Sequence, residues 1–363
     1  MGKIQRVAVI GLGYIGLPTA AILATNGLDV VGVDVNQRTV DSVNAGEVPF
    51  VEPDLGIHVA GAVSKGSLSA TTHTPQADAY IVAVPTPFKA DRTADLSFIE
   101  AAARGIAPQL KGGELIILES TSPPRATRHM GDCILALRPD LSLDGADGRP
   151  VILLAHCPER VLPGRVMIEL VTNDRIVGGV TPEAAELAKN LYATFCQGEI
   201  HVTDDITAEM AKLVENSYRD VNIAFANELS VISDGLGIDV WELIRLANHH
   251  PRVNILQPGP GVGGHCIAVD PWFIVAEAPE HATLIKTARL VNDAKPGWVV
   301  EKVIDAVESA PLGTEVAVLG LSFKANIDDL RESPAIGITK LIAERAPETA
   351  INVVEPHVER LPQ

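Results

Sequence analysis

Cysteine is scarce in this sequence, and no run of apolar residues is long enough to cross a membrane. The 363 residues include four cysteines, Cys133, Cys157, Cys196 and Cys266, and none belongs to a Cys-x-x-Cys pair. Their spacing predicts no disulfide framework, which excludes the class of disulfide-rich secreted domains. Residues 7–10 already have a strand pattern, without the charged and long apolar regions of a signal peptide before them. We therefore expect a cytoplasmic protein that is not bound to a membrane.

Positive charge is in the minority. Lys and Arg number 29 against 46 Asp and Glu, which gives a formal net charge of −17. Such an acidic surface repels phosphate backbones, so we expect no nucleic-acid partner. An anionic small ligand would need cationic side chains beside its binding motif. Hydrophobic residues make up 47% of the chain, which allows sizeable cores in two or three domains.

The first 200 residues have the pattern of an α/β domain. Short apolar runs alternate with helical patterns, which predicts a Rossmann-type, doubly wound parallel sheet. The predicted strands are 6–10, 30–34, 79–84 and 115–119, with 151–155 and 174–178 as candidate extensions of the sheet. A helix is predicted over residues 14–25.

The pattern changes near residue 203. Residues 201–300 read as a central helical domain, and 301–363 as a partial C-terminal Rossmann-like unit. The predicted segments are helices at 207–235, 243–247, 284–293 and 336–345, a loop at 257–264, and strands at 314–319 and 350–354. Thr207 is the predicted N-cap of the first of these helices. A helix of that length suggests a connector and a dimer surface, so we expect a homodimer.

A glycine-rich segment, Gly-Leu-Gly-Tyr-Ile-Gly at residues 11–16, follows the first strand and opens a helix. Gly11 permits the tight turn, Gly13 lets the backbone approach a pyrophosphate, and Gly16 lets the helix pack closely on the strand. Asp34 ends the second strand, where its carboxylate would accept hydrogen bonds from a ribose and repel a 2′-phosphate. This order of features predicts an NAD site; the alternative is a glycine turn in another α/β fold.

Six further residues are candidates for binding the cofactor. They are Tyr14, Ile15, Arg38, Thr86, Thr121 and Thr127. The arginine either lies near the adenine or is a solvated helix residue. The threonine hydroxyls either contact the nicotinamide half of the cofactor or belong to turns and helix starts. The sequence leaves both alternatives open.

Cys266 lies in a glycine-dense loop, which is a poor place to pack a buried structural cysteine. Asp270 follows it by four residues. Lys212, Asn216 and Arg219 have the i, i+4, i+7 spacing that places them on one helix face. That face is either solvated or supplies the cation and amide donor that an oxyanion needs. The His and Cys pairs lack further ligands at usable spacing, so we predict no metal site.

Several longer motifs follow one another along the chain. They are Cys-Pro-Glu-Arg-Val-Leu-Pro-Gly at 157–164, Ala-Glu-Met-Ala-Lys-Leu-Val-Glu-Asn at 208–216, Arg-Val-Asn-Ile at 252–255, Gly-Val-Gly-Gly-His-Cys-Ile-Ala-Val-Asp-Pro-Trp-Phe-Ile at 261–274, and Phe-Lys-Ala-Asn-Ile-Asp-Asp-Leu-Arg-Glu-Ser-Pro at 323–334. Together with the glycine loop, they resemble the UDP-glucose/GDP-mannose dehydrogenase family over essentially the whole chain. The first and fourth look most like its branch that acts on UDP-N-acetylmannosamine.

The resemblance implies oxidation of a sugar 6-hydroxyl to a carboxylate with two NAD, for surface polysaccharide synthesis. Cys266 would be the nucleophile, Lys212 and Asn216 would hold the developing oxyanion, and Asp270 with Glu159 would position or activate water. The implied substrate-binding residues are Arg160, Val161, Lys212, Asn216, Arg219, His250, Arg252, Gly263, Lys324 and Arg331. The three predicted domains would then bind NAD (1–200), carry the cysteine loop and dimer surface (201–300), and bind the nucleotide sugar (301–363).

Other functions remain open. The substrate is another UDP-sugar, such as UDP-N-acetylglucosamine or UDP-glucose, if the branch assignment fails. A two-electron hydroxyacid or polyol dehydrogenase would use a similar Lys/Asn pair but needs no cysteine. A truncated, inactive NAD-binding protein is the third alternative, because the family's last domain continues beyond the equivalent of residue 363.

Overall fold

The computed structural model of the chain describes residues 4–162, 164–264, 266–323, 330, 332–356 and 358. The chain divides into two compact units, Met1–Lys212 and Leu213–Gln363. Their boundary lies within one long helix. Among the described residues, no helix is both long and apolar enough to span a bilayer.

The first unit alternates strands and helices. Its strands are β1 (Arg6–Ile10), β2 (Asp29–Val33), β3 (Leu68–Thr71), β4 (Ala79–Val82), β5 (Leu115–Leu118), β6 (Leu153–His156), β7 (Arg175–Gly179) and β8 (Ile200–Asp204). Its helices are α1 (Gly16–Thr25), α2 (Gln37–Asn44), α3 (Leu55–Ser64), α4 (Ser97–Ile106), α5 (Ala126–Leu137), α6 (Val166–Thr172) and α7 (Pro182–Tyr192). Helix α8 (Asp205–Leu236) begins in this unit.

All eight strands form one sheet in the order β3-β2-β1-β4-β5-β6-β7-β8. The strands from β3 to β6 are parallel to one another, and β7 pairs with β6 in the antiparallel direction. The order reverses at β1, which is the switch point at which such folds bind nucleotides. The predicted doubly wound sheet is confirmed.

Helices cover both faces of this sheet. Successive residues of β5 point to opposite sides, so Leu115 and Ile117 pack in one core and Ile116 and Leu118 in the other. A strand buried on both faces reads as a continuous apolar run, which is why the sequence reveals it.

The second unit is mainly helical. It contains the rest of α8, then α9 (Val240–Ala247), α10 (Asp270–Glu277), α11 (Thr283–Glu308), β9 (Val316–Leu319), α12 (Pro334–Arg345) and β10 (Ile351–Val354). Strands β9 and β10 are parallel neighbours. Helices α11 and α12 share a small core of Val300, Ile304, Ile338 and Ile342.

Two helix predictions were wrong at their ends. Thr207 is not the N-cap of α8, because the helix begins at Asp205 and the Asp204 carboxylate accepts from both the Thr207 amide (2.9 Å) and its hydroxyl (2.6 Å). Helix α11 does not stop near residue 293 but continues through Pro296. Proline removes one helical hydrogen bond, and buried contacts on both sides of it offset that loss.

Candidate active site

The glycine loop between β1 and α1 has the geometry predicted for a pyrophosphate cradle. Gly11 has a φ of +95°, which favours glycine, and a Cβ on Gly16 would lie 1.9 Å from the Gly11 carbonyl oxygen. Around Gly13, by contrast, the space that a Cβ would occupy has no atom within 4 Å. Tyr14 stacks on Phe50 with ring centroids 4.3 Å apart. The loop therefore has open space where a phosphate must approach and tight packing where the helix meets the strand.

Asp34 follows β2 at the same edge of the sheet. Its Oδ2 accepts from the Leu12 amide at 2.9 Å, and its Oδ1 accepts from the Asn36 amide at 2.8 Å. The carboxylate is thus fixed against the glycine loop, in the place expected of a ribose acceptor. Arg38 lies exposed in the first turn of α2, whose N-cap is Asn36.

Polar atoms line the ends of the next strands. The hydroxyl oxygens of Thr86 and Ser122 are buried and have no hydrogen-bond partner among the described residues. Buried hydroxyls are nearly always satisfied, so these two fit a ligand that supplies the missing partners. Thr121 directly precedes Ser122 and is half-buried. The first unit therefore fits an NAD molecule at this edge.

Thr127 is fully buried in the first turn of α5. Its hydroxyl donates to Glu209 Oε1 at 2.7 Å, and its amide donates to the same oxygen at 2.8 Å. Glu209 Oε2 accepts from the Arg125 amide. Glu209, on α8, thus caps the start of α5, and burial raises its pKa to about 7. Its role was not predicted from the sequence.

Glu159 belongs to a buried ionic cluster. Arg175 Nη2 lies 3.5 Å from Glu159 Oε2, and Arg175 Nη1 lies 3.9 Å from Glu119 Oε1. Glu119 also accepts hydrogen bonds from Thr19 (3.1 Å) and Tyr192 (3.2 Å). Burial, and next the charge of Glu159, raise the pKa of Glu119 to about 8. One guanidinium therefore serves two acids, and we infer that Glu119 is the one that keeps its proton.

The second unit brings together Asn216, Asp270 and the cysteine loop. Asn216 Nδ2 donates to Asp270 Oδ2 at 2.5 Å, and both side chains are buried. Asp270 is the first residue of α10, and its amide donates to the Cys266 carbonyl at 2.9 Å. Cys266 itself is exposed. The exposed Cys266 thiol thus lies on the backbone turn that leads to the Asp270 carboxylate, which is buried and accepts a hydrogen bond from the Asn216 amide.

The remaining predicted residues range from half-buried to exposed. Lys212 is half-buried on α8, one turn before Asn216. Arg160 donates through Nη1 to the Asp174 carbonyl at 3.1 Å, and Val161 packs beside the core of the first unit. Arg219, His250 and Arg252 are exposed.

Two predictions lie outside the described residues, those on Lys324 and Arg331. Gly263 is described: a Cβ on it would lie 2.6 Å from the Glu332 carbonyl oxygen and 2.7 Å from the Phe323 Cβ. Close packing within the unit therefore already requires a glycine there. Within the described part of the chain, no three His, Cys, Asp or Glu side chains form a group able to hold a metal ion.

Glu119 and Arg175 were missed because 56 residues separate them. A signal did exist, since each charge directly adjoins an apolar strand segment: Glu119 follows Leu115–Leu118, and Arg175 precedes residues 176–177. A charged residue at that position is rarely buried unless it is paired.

Comparison with known proteins gives a consistent result. Three domain profiles of the UDP-glucose/GDP-mannose dehydrogenase family match: the NAD binding domain at residues 5–196, the central domain at 206–294 and the UDP binding domain at 317–363. The chain is 57% identical to the UDP-N-acetyl-D-mannosamine dehydrogenase of Escherichia coli K12, covering 98% of this chain and 87% of that protein.

Two further proteins are similar. An NDP-N-acetyl-D-galactosaminuronic acid dehydrogenase of Ralstonia nicotianae is 59% identical over 99% of this chain and 84% of its own length. The solved UDP-N-acetyl-mannosamine dehydrogenase of Staphylococcus aureus has a TM-score of 0.88 and 45% identity, covering 98% of this chain and 84% of that one. The predicted family, NAD cofactor and oxidoreductase class are confirmed: this chain belongs to the UDP-glucose/GDP-mannose dehydrogenase family.

Proposed function

We propose that this chain is a UDP-N-acetyl-D-mannosamine 6-dehydrogenase. It oxidises the C6 hydroxyl to a carboxylate by removing four electrons, and its product, UDP-N-acetylmannosaminuronate, serves surface polysaccharide synthesis. The observation that carries the proposal is the exposed Cys266 thiol, whose backbone leads into the buried Asp270–Asn216 pair. A two-electron alcohol dehydrogenase needs no such thiol. The names of the relatives from Escherichia coli and Staphylococcus aureus support the choice of sugar.

NAD bound at the glycine loop would accept one hydride in each of two oxidations, so two NAD would be consumed per sugar. The first oxidation converts the C6 alcohol into an aldehyde and releases one proton. The Cys266 thiolate then adds to the aldehyde carbon, which gives a thiohemiacetal. Loss of a second hydride leaves a thioester, and water cleaves it to the carboxylate and returns the thiol. Splitting the reaction in this way replaces one difficult oxidation by covalent steps with lower barriers.

Other side chains hold charge and water. Lys212 and Asn216 stabilise the oxygen as its negative charge develops. Asp270 directs the hydrolytic water, with Glu159 as the second carboxylate. The nucleotide sugar is held by cations and backbone at Arg160, Val161, Arg219, His250, Arg252, Gly263, Lys324 and Arg331. These cations supply the local positive charge that an anionic ligand requires on a chain with a net charge of −17.

The decisive experiment counts the NADH formed per sugar consumed. With UDP-N-acetylmannosamine and excess NAD, the proposal requires two NADH per sugar, and Cys266→Ala must lose formation of the acid. One NADH per sugar would identify a two-electron dehydrogenase. If the chain binds NAD but shows no turnover, the assay is repeated with a chain extended past residue 363. No turnover there either would identify an inactive NAD-binding protein.

Other UDP-sugars are tested in the same experiment, because one relative carries the name of an N-acetylgalactosaminuronic acid dehydrogenase. UDP-N-acetylgalactosamine, UDP-N-acetylglucosamine and UDP-glucose should each give a lower kcat/KM than UDP-N-acetylmannosamine. A higher value for any of them would move the assignment to that sugar.

We also propose a homodimer located in the cytoplasm. Large apolar side chains remain exposed on α8 and α9, among them Tyr218 (70%), Phe225 (54%), Leu236 (69%) and Trp241 (54%). Exposed apolar residues at this density are typical of protein interfaces. Light scattering of the purified chain tests the mass, and a monomer at micromolar concentration would contradict the dimer.

A further inference from the structure

The loop that leads to Cys266 is tied to a chain of buried amides. The Gly259 amide donates to Asn227 Oδ1 at 2.8 Å. Asn227, which is fully buried on α8, donates through Nδ2 to Asn292 Oδ1 on α11 at 2.8 Å. Asn292 Nδ2 in turn donates to Asp220 Oδ1 on α8, also at 2.8 Å. Two buried hydrogen bonds and one partly buried hydrogen bond therefore connect a carboxylate with the loop backbone.

This series of hydrogen bonds has a fixed donor-to-acceptor direction. An ionised carboxylate accepts hydrogen bonds but donates none, so Asn292 must turn its Nδ2 towards Asp220. Its Oδ1 is then left for the Asn227 amide, and the Asn227 oxygen is left for Gly259. The carboxylate is held by the buried Arg289 guanidinium, which also binds Asp293. Burial raises the pKa of Asp220, and the Arg289 charge opposes that rise.

Neighbouring side chains also leave the loop little space. A Cβ on Gly261 would lie 2.8 Å from the Pro334 Cβ and 2.9 Å from the Pro296 Cγ, and one on Gly264 would lie 2.8 Å from the Phe323 ring. The loop thus packs closely against proline and phenylalanine rings and is hydrogen-bonded to Asn227. A change in either support would move the segment that ends at Cys266.

We propose that Asn227 and Asn292 are positioning residues that hold the Cys266 loop in its reactive geometry, through the oriented chain that begins at Asp220. The proposal rests on the proposed function of Cys266. It does not make either asparagine a catalytic residue, because neither is required to touch the substrate. Their effect follows from placement, since small displacements of a reacting group cost large factors in rate.

Asn227→Asp tests the chain with almost no change in shape. The new carboxylate faces the Asn292 oxygen, and turning Asn292 around would place that oxygen against Asp220, so one link must break in either arrangement. We expect faster hydrogen–deuterium exchange of the peptide 257–264 and a kcat lower by roughly tenfold or more, with the affinity for NAD changed less than about twofold. Asn222→Asp is the matched control, because Asn222 lies on the same helix and, among the residues that the structure describes, its side chain donates only to the Tyr218 carbonyl.

A double variant keeps the proposal falsifiable if Asn227→Asp does not fold. Asn227→Asp combined with Asp220→Asn reverses the two side-chain hydrogen bonds of Asn292, while the Gly259 amide still donates to residue 227. We expect it to recover folding, loop protection and most of the lost kcat. Unchanged loop exchange and kcat in Asn227→Asp, or no recovery in the double variant, would overturn the proposal. The hydrogen–deuterium exchange measurement does not depend on catalysis. If Cys266→Ala keeps full turnover, the proposed function fails, but the exchange of peptide 257–264 still shows whether Asn227 supports the loop.

Discussion

Thr127 donates both its hydroxyl and its amide to Glu209 Oε1, at 2.7 and 2.8 Å, in a fully buried position. This contact satisfies two donors at the start of α5. A hydroxyl already committed to a helix cap is poorly placed to be a primary contact of the nicotinamide. The predicted cofactor role of Thr127 can therefore be separated from its structural role by substitution.

Above pH 7, where Glu209 is mainly ionised, we expect Thr127→Val to lower the free energy of unfolding by about 1.5–3 kcal/mol, the usual contribution of a hydrogen bond to a charged group. The affinity for NAD should change less than about twofold, because the side chain keeps its shape. Thermal unfolding and titration with NAD measure the two effects. Thr127→Ser, which keeps the hydroxyl, is the control. A large loss of NAD affinity at unchanged stability would restore the cofactor role.

Glu119 gives the first unit a pH-dependent stability. Its pKa of about 8 in the folded chain lies above the ordinary value of 4.5, so the folded state binds the extra proton. The contribution of this proton to the free energy of unfolding is then fully present below pH 4.5 and is lost as the pH rises towards 8. The expected slope in this window is about 1.4 kcal/mol per pH unit for one proton.

The neutral Glu119→Gln variant should flatten that slope and unfold at a higher temperature than the parent chain at pH 8. Melting temperatures between pH 5 and 8.5 test this. Glu186→Gln removes a charge from the surface of α7, and it should leave the slope as it is. If Glu119→Gln is strongly destabilised throughout the range, the carboxyl is ionised and Arg175 depends on it.

The sequence predicts local features better than long-range ones. Strand β1 was predicted with its observed bounds, because an apolar run ends at a glycine turn. Strand β3, Leu-Ser-Ala-Thr, was missed because it is short, partly polar and at the edge of the sheet. Helix α11 passes Pro296 because tertiary contacts outweigh a local stop signal.

The same distinction holds for the site. The spacing of Lys212 and Asn216 and the loop of Cys266 could be read from the sequence, since each is a local pattern. The contact between Asn216 and Asp270 spans 54 residues, and the cap from Glu209 to Thr127 spans 82. Such pairings depend on which helices pack together, and hydrophobic periodicity does not specify that.

The glycine loop offers a paired prediction. Gly16→Ala places a Cβ 1.9 Å from the Gly11 carbonyl oxygen, so α1 must shift and both stability and NAD binding should be lost. Gly13→Ala meets no protein atom within 4 Å, so the chain should fold normally while its Kd for NAD rises by roughly tenfold or more, since the methyl group occupies the phosphate's approach. Circular dichroism and fluorescence titration separate the two. Equal NAD affinity in Gly13→Ala and the parent chain would place the pyrophosphate elsewhere.

Asp270 and Asn216 are in contact, but we expect substitutions of the two residues to block different steps of the reaction. Removing the Asn216 amide weakens the site for the developing oxyanion, so Asn216→Ala should slow both oxidations by about 10²–10³. Asp270→Asn keeps the shape of the pair and removes the carboxylate that directs water. It should therefore permit both oxidations and stall at the thioester.

Rapid mixing distinguishes these outcomes. Asp270→Asn should give a burst of about two NADH per subunit and then stop, as expected when an acyl-enzyme accumulates, and intact-mass spectrometry should find the sugar covalently attached. Cys266→Ser has no thiol, so it should release at most one NADH per subunit and form no thioester adduct, and it serves as the control. Steady turnover of Asp270→Asn without an adduct would mean that Asp270 holds Asn216 in place and that another group, with Glu159 the first candidate, directs the water.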